Sequence, residues 1–145
     1  MRFWDSSAVL PLVLHEPFTV EAVAMLEQDP EALVWWGTQL ECWSGIQRRI
    51  RDCSLDSAEL DRVAQQLQDF VDLAIQVEPG AQVRDRALGL LTNHPLRAAD
   101  ALQLAAALVG MDSLGPSLEF VCLDHRLREA AAREGFLLGP RELPY

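Results

Sequence analysis

Residues 3–10, Phe3-Trp4-Asp5-Ser6-Ser7-Ala8-Val9-Leu10, set an aspartate between two apolar runs. An ionised carboxylate beside a core is costly unless it is hydrogen-bonded, paired or bound to a metal. The first run reads as a short strand over 2–5. Ser7 is the expected cap of a helix from Ala8 to His15, with Pro11 tolerable in or near its first turn. The strand-to-helix exchange that starts here decides the fold class, because the rest of the chain repeats it.

Working outward, the periodicity predicts a helix over 19–28, a buried strand over 32–36 (ALVWW) and a helix opened by Thr38 and running to about Cys53. An amphipathic helix from about Ser57 to Asp72 follows the cap-like Asp56, and 74–78 reads as a third strand. Helices are expected over 81–93 and from Leu96 to Val109, with a loop from Gly110 to Ser117. A strand over 118–123, a helix from His125 to Glu134 and a short strand over 136–138 complete the chain. This alternation predicts one α/β domain over 1–145, with a mainly parallel sheet covered by helices on both faces.

Half of the 145 residues are apolar and 23% are charged, enough for a substantial core. No apolar run approaches the roughly 18 residues of a membrane span, and a cytoplasmic location is the expectation. The three cysteines, Cys42, Cys53 and Cys122, form no C-x-x-C pair, so neither a disulfide framework nor a thiolate zinc site is indicated. The net charge of −10 argues against binding nucleic acid through a broad basic surface. All twelve basic residues are arginine, which rules out lysine chemistry and leaves a planar donor suited to phosphate.

Four acids stand where a local rule alone does not account for them. Asp5 and Asp124 each close an apolar strand and precede a helix, and in a parallel sheet such strand ends share the edge where open α/β folds bind ligands. A turn or N-cap role is the competing reading for both. Asp100 and Gln103 are the only polar residues between Arg97 and Gly110, three apart on one side of an apolar helix. Asp100 is therefore either paired with Arg97 or a metal ligand. Glu41 fits a capping box with Thr38, and a functional role for it requires tertiary convergence with the other three.

In that order, DSSAVL, LECWSGI, LRAADALQLAAAL and FVCLDHRLREAA resemble the PIN domain, in particular the small toxin ribonucleases of VapBC-type toxin–antitoxin pairs. The resemblance runs through nearly the whole chain and includes Glu16-Pro17 after the first helix. It implies a three-layer α/β/α fold whose acidic positions fall on Asp5, Glu41, Asp100 and Asp124, with the small hydroxyl residue after the first acid at Ser7. The chain departs from the family at Cys122, where Thr or Ser is frequent two residues before the last acid, and at Trp4, where a smaller aliphatic is usual.

Clustered carboxylates repel and call for a cation or partial protonation. Oxygen-only ligation suits Mg2+ or Mn2+. Asp5, Asp100 and Asp124 are the expected ligands, with Glu41 binding metal, holding its water or activating the nucleophile, and Ser7 orienting a carboxylate or a water. Such a site hydrolyses a phosphodiester, and resemblance implies that the substrate is RNA. Two divalent ions would bring the charge only from −10 to −6, so attraction must be local. Arg48 lies on nearly the face of Glu41, about 10 Å along the helix, and Arg126 follows Asp124; both are candidate phosphate contacts. Resemblance further implies a cognate antitoxin and a homodimer. A phosphoaspartyl enzyme of the dehalogenase type fails at Ser7, where its second aspartate belongs, and a receiver domain needs a lysine that the chain lacks. The alternative left standing is a noncatalytic PIN-fold binding module whose acids are structural.

Overall fold

The computed structural model describes residues 1–143; the expected domain over 1–145 therefore includes two positions outside the described residues. Along the chain run β1 (Arg2–Trp4), α1 (Ser6–Val13), α2 (Thr19–Gln28), β2 (Ala32–Trp35), α3 (Thr38–Arg51), a 3-10 turn (Ser57–Glu59), α4 (Leu60–Leu73), β3 (Ile75–Val77), α5 (Ala81–Asn93), α6 (Ala98–Leu114), β4 (Glu119–Val121), α7 (His125–Arg133) and β5 (Leu137–Gly139). The five strands form one sheet in the order β3-β2-β1-β4-β5. Every pairing is parallel, with Phe3 opposite both Leu33 and Phe120. All carboxyl ends therefore lie along one edge.

Side chains alternate between the two faces of the sheet, and each face has its own core. Phe3, Leu33, Trp35, Phe120 and Cys122 point to the side covered by α5, α6 and α7. Trp4, Ala32, Val34 and Val121 point to the side covered by α1 to α4. Phe3 and Phe120 stack across β1 and β4 with centroids 5.4 Å apart. Trp4 fills the other core edge-on to Phe70, its indole N–H buried without a partner among the described residues. The resulting α/β/α sandwich is the expected one.

Three local expectations change. The cap of α1 is Asp5, not Ser7, because the Asp5 carboxylate accepts from the Ser7 backbone N–H while the Ser7 hydroxyl is turned to other partners. Pro11 then lies beyond the first turn, and α1 ends two residues after it. The helix expected to stop at Val109 continues to Leu114, because Gly110 serves packing: a Cβ there would fall 2.4 Å from Leu33 Cδ2. The real stop is Gly115, whose φ of +96° favours glycine. His94, at the end of α5, is buried, its Nε2 2.7 Å from Glu134 Oε1 on the turn after α7.

Candidate active site

Each of the four acids arrives at the carboxyl edge at a helix start. Asp5 leaves β1 as the N-cap of α1 and is only 4% exposed. Its Oδ2 accepts from the Ser7 backbone N–H (3.0 Å), from the Ser7 hydroxyl and from the Cys122 thiol (3.4 Å). Ser7 Oγ in turn accepts from the Leu123 backbone N–H at 2.9 Å, which ties α1 to the end of β4. Cys122 Sγ accepts from the Asp124 N–H at 3.3 Å. The thiol thus links the backbone of one acid to the carboxylate of another, where the family often has a hydroxyl.

Asp124 is exposed and caps α7, its Oδ1 accepting from Leu127 N–H at 2.9 Å. Asp100 is the third residue of α6, and its Oδ2 reaches back to the Arg97 backbone N–H at 3.3 Å. Among the described residues Asp100 enters no ion pair, so the Arg97 salt bridge is replaced by this backbone contact. Glu41 does not close a capping box. Gly37 is the cap of α3, and the Glu41 carboxylate turns inward to accept from Ser6 Oγ (2.6 Å at Oε2) and Gln103 Nε2 (3.3 Å at Oε1).

Sequence reasoning did not assign Ser6, Thr38 or Gln103 to the site. Gln103 is 1% exposed, and its amide nitrogen lies 2.9 Å from Ser6 Oγ and 3.1 Å from Thr38 Oγ1. It joins the starts of α1 and α3 to α6. The signal was present in the sequence as the lone amide one turn past Asp100.

Electrostatics show that the acids share one field. Burial pushes the Asp5 carboxyl above the usual range, and the Asp100 charge adds to it against the Ser7 and Cys122 hydrogen bonds. Burial raises Glu41 from 4.5 to about 7, with Asp5 and Asp100 contributing and Ser6 and Gln103 opposing. Asp100 is raised by burial and by Asp124, against the Arg97 backbone N–H and the Arg97 and Arg126 charges. Each aspartate also spends one oxygen on its own helix. Asp5 Oδ1, Asp100 Oδ1 and Asp124 Oδ2 have no hydrogen-bond partner among the described residues. No three carboxyl, imidazole or thiol groups among the described residues already stand in ligating geometry. What fits a hard divalent ion is the donor set: oxygen-only, mutually repelling, each aspartate with an oxygen to spare.

The candidate phosphate contacts differ in setting. Arg126 is exposed, and its charge is felt at Asp100. Arg48 is exposed near the end of α3, beside Asp52, whose carboxyl is lowered chiefly by bonds from Ser54, with Arg49 and Arg48 adding to it. Arg49 is paired with Glu16. Arg128 is buried and donates to the carbonyls of Cys122, Gly139, Pro140 and Arg141, which makes it a structural clasp.

Residues 2–133 match the PIN domain family, and the chain belongs to it. Ribonuclease VapC45 and Ribonuclease VapC49, both of Mycobacterium tuberculosis, are each 30% identical over 141 residues, spanning 97% of this chain and 96% of theirs. A toxin–antitoxin complex from Klebsiella pneumoniae contains a chain of the same fold, with a TM-score of 0.69, 17% identity and 99% of both chains covered.

Proposed function

We propose that the chain is a divalent-metal-dependent endoribonuclease, the toxin of a toxin–antitoxin pair, acting in the cytoplasm on RNA phosphodiesters at Asp5, Glu41, Asp100 and Asp124. The observation that carries this reading is the shared field of the four carboxylates at the strand ends, three of them pushed up in pKa by burial and by one another. The VapC names of the relatives supply the substrate class.

Asp5, Asp100 and Asp124 would hold Mg2+ or Mn2+ through their spare oxygens. The ion, when bound, would neutralise their charge and polarise the phosphodiester. Ser7 and Cys122 fix the Asp5 carboxylate, so its spare oxygen is presented in one orientation. Glu41, near neutrality in pKa and held by Ser6 and Gln103, is suited to take a proton from the attacking water. Arg126, and Arg48 for a longer substrate, would meet flanking phosphates. No helix among the described residues is long and apolar enough to cross a membrane.

A cognate antitoxin and a homodimer complete the proposal. An apolar cavity of about 460 Å³ between α1, α2 and α4, lined by Leu12, Val23, Leu26 and Phe70, offers an antitoxin segment a place to dock. The test is cleavage of defined RNAs with Mg2+, Mn2+ or chelator, with Asp100→Asn as control and calorimetry measuring ion uptake separately. Metal uptake lost in Asp100→Asn together with cleavage supports the reading. Failure of the parent chain to take up either ion refutes it and leaves the noncatalytic binding module.

A further inference from the structure

Two arginines stand at helix starts without a local reason. Arg97 is the N-cap of α6, a position that favours a short acceptor side chain, and Arg126 lies in the first turn of α7. A helix N-terminus opposes positive charge. Elsewhere the chain respects this rule or compensates for it. Arg48, Arg51 and Arg133 occupy last turns, whereas Arg62 and Arg84, near the starts of α4 and α5, are paired with Glu59 and Asp85. Arg97 and Arg126 are both exposed and enter no ion pair among the described residues.

What surrounds them is the carboxylates. The Arg97 backbone N–H donates to Asp100 Oδ2 at 3.3 Å, and Arg126 follows Asp124 by two residues. α6 and α7 cover the same face of the sheet, with Ala101, Leu104 and Leu127 in one core. Both guanidinium charges act on one carboxylate, that of Asp100, and lower it against burial and the Asp124 charge. Two cations that reach the same acid can reach one phosphate held beside it. Neither has spent its fork of donors on a carboxylate, so each can bond a phosphate oxygen. In a chain of net charge −10, they supply positive charge at the edge where a polyanion must approach four acids.

We propose that Arg97 and Arg126 together clamp one phosphate next to the scissile one, on the α6–α7 side of the carboxylates. The inference rests on the ribonuclease reading above and adds Arg97 to the substrate contacts. An Arg97–Asp100 ion pair would have withdrawn both a cation from the substrate and an oxygen from the metal.

The test measures kcat/KM for Arg97→Gln, Arg126→Gln and the double variant on a short RNA in Mg2+. It is repeated with each phosphate other than the scissile one replaced in turn by an uncharged methylphosphonate. Each single variant should lose about 10-fold or more, mainly through KM, and Arg97→Lys should recover part of the loss. Ion uptake by calorimetry should match or exceed that of the parent, since a positive charge beside Asp100 is gone. One methylphosphonate should bring the parent down to the level of the double variant and leave that variant unchanged. Equal kcat/KM for parent and variants, or methylphosphonate losses that multiply with theirs at every position, would overturn the clamp while the ribonuclease reading stands. Loss of ion uptake in Arg97→Gln would also overturn it, by making Arg97 a support for Asp100 instead. If the parent cleaves no RNA, the underlying reading fails and the clamp with it.

Discussion

Replacing Glu41 by glutamine in the metal-free protein isolates the cost of gathering the acids. Its carboxyl is raised from 4.5 to about 7, chiefly by burial. One pKa unit is about 1.4 kcal/mol, so holding Glu41 ionised in the fold at pH 8 costs roughly 3 kcal/mol. The sign follows from linkage. With the folded pKa above the ordinary value, the contribution of Glu41 to stability is full below pH 4.5 and is lost as pH rises through about 7. Glutamine has the same shape and no proton to lose. Its amide group facing Ser6 must be received by a hydroxyl that now donates to the carboxylate, at a cost of about 1 kcal/mol. The net expectation at pH 8 is a gain of roughly 2 kcal/mol, or about 4–8 °C in Tm for a domain of this size. At pH 5, where the parent is already protonated at this site, the two chains should melt together. The assay is thermal or urea unfolding from pH 5 to 8 in chelator, repeated with saturating Mg2+, which should stabilise the parent and narrow the gap. A gap independent of pH, or a variant less stable than the parent at pH 8, would refute the account.

Asp100→Asn should abolish ion uptake by calorimetry while the metal-free protein melts at the same temperature or higher, since a repelling neighbour of Asp5 and Glu41 is gone. Gln103→Leu removes donors from Ser6, Thr38 and Glu41; cleavage, measured as a pH–rate profile, should require a higher pH because an interaction favouring ionised Glu41 is lost. Arg128→Met leaves backbone carbonyls at the β4–β5 end without their buried donor, and urea unfolding should show a loss of about 3 kcal/mol or more. Gly110→Ala should cost about 1–3 kcal/mol in the same assay, because Leu33 must move off its rotamer.

The order of strands and helices was legible because each has its own period and the alternation leaves few topologies. What local reading missed was decided by groups far away in the chain. Asp5 and Ser7 are both good caps, and the choice between them turns on Leu123, whose N–H claims the Ser7 hydroxyl. Thr38 and Glu41 have capping-box spacing, but Gln103 and Ser6 supply better partners for the carboxylate. Gly110 reads as a break until Leu33 is known to lie against it. His94 is buried by Glu134, and Arg128 is taken up by carbonyls of β5 and beyond, whereas Arg126 two positions earlier stays exposed. The candidate acids were visible because ionised groups beside apolar runs violate a local rule; their supporting amide and hydroxyls violate none.

The capping and functional readings of the acids turn out not to compete. A helix N-terminus favours a negative charge by roughly 0.3–1 kcal/mol, and an acid that does nothing but cap should have its pKa lowered. Asp52, an exposed acid at the end of α3, shows what such local bonds do where there is no burial: those from Ser54 lower it. Asp5 and Asp100 receive comparable backbone bonds at the starts of α1 and α6, yet both are raised, as is Glu41 in the first turn of α3. The helix ends therefore reduce the cost of bringing these charges together without removing it. Because each aspartate caps with one oxygen, the other has no hydrogen-bond partner among the described residues, and the residual repulsion is the free energy that a divalent cation would relieve. A fold that kept the acids only as caps would gain by spreading them apart, and this one draws them to the same edge.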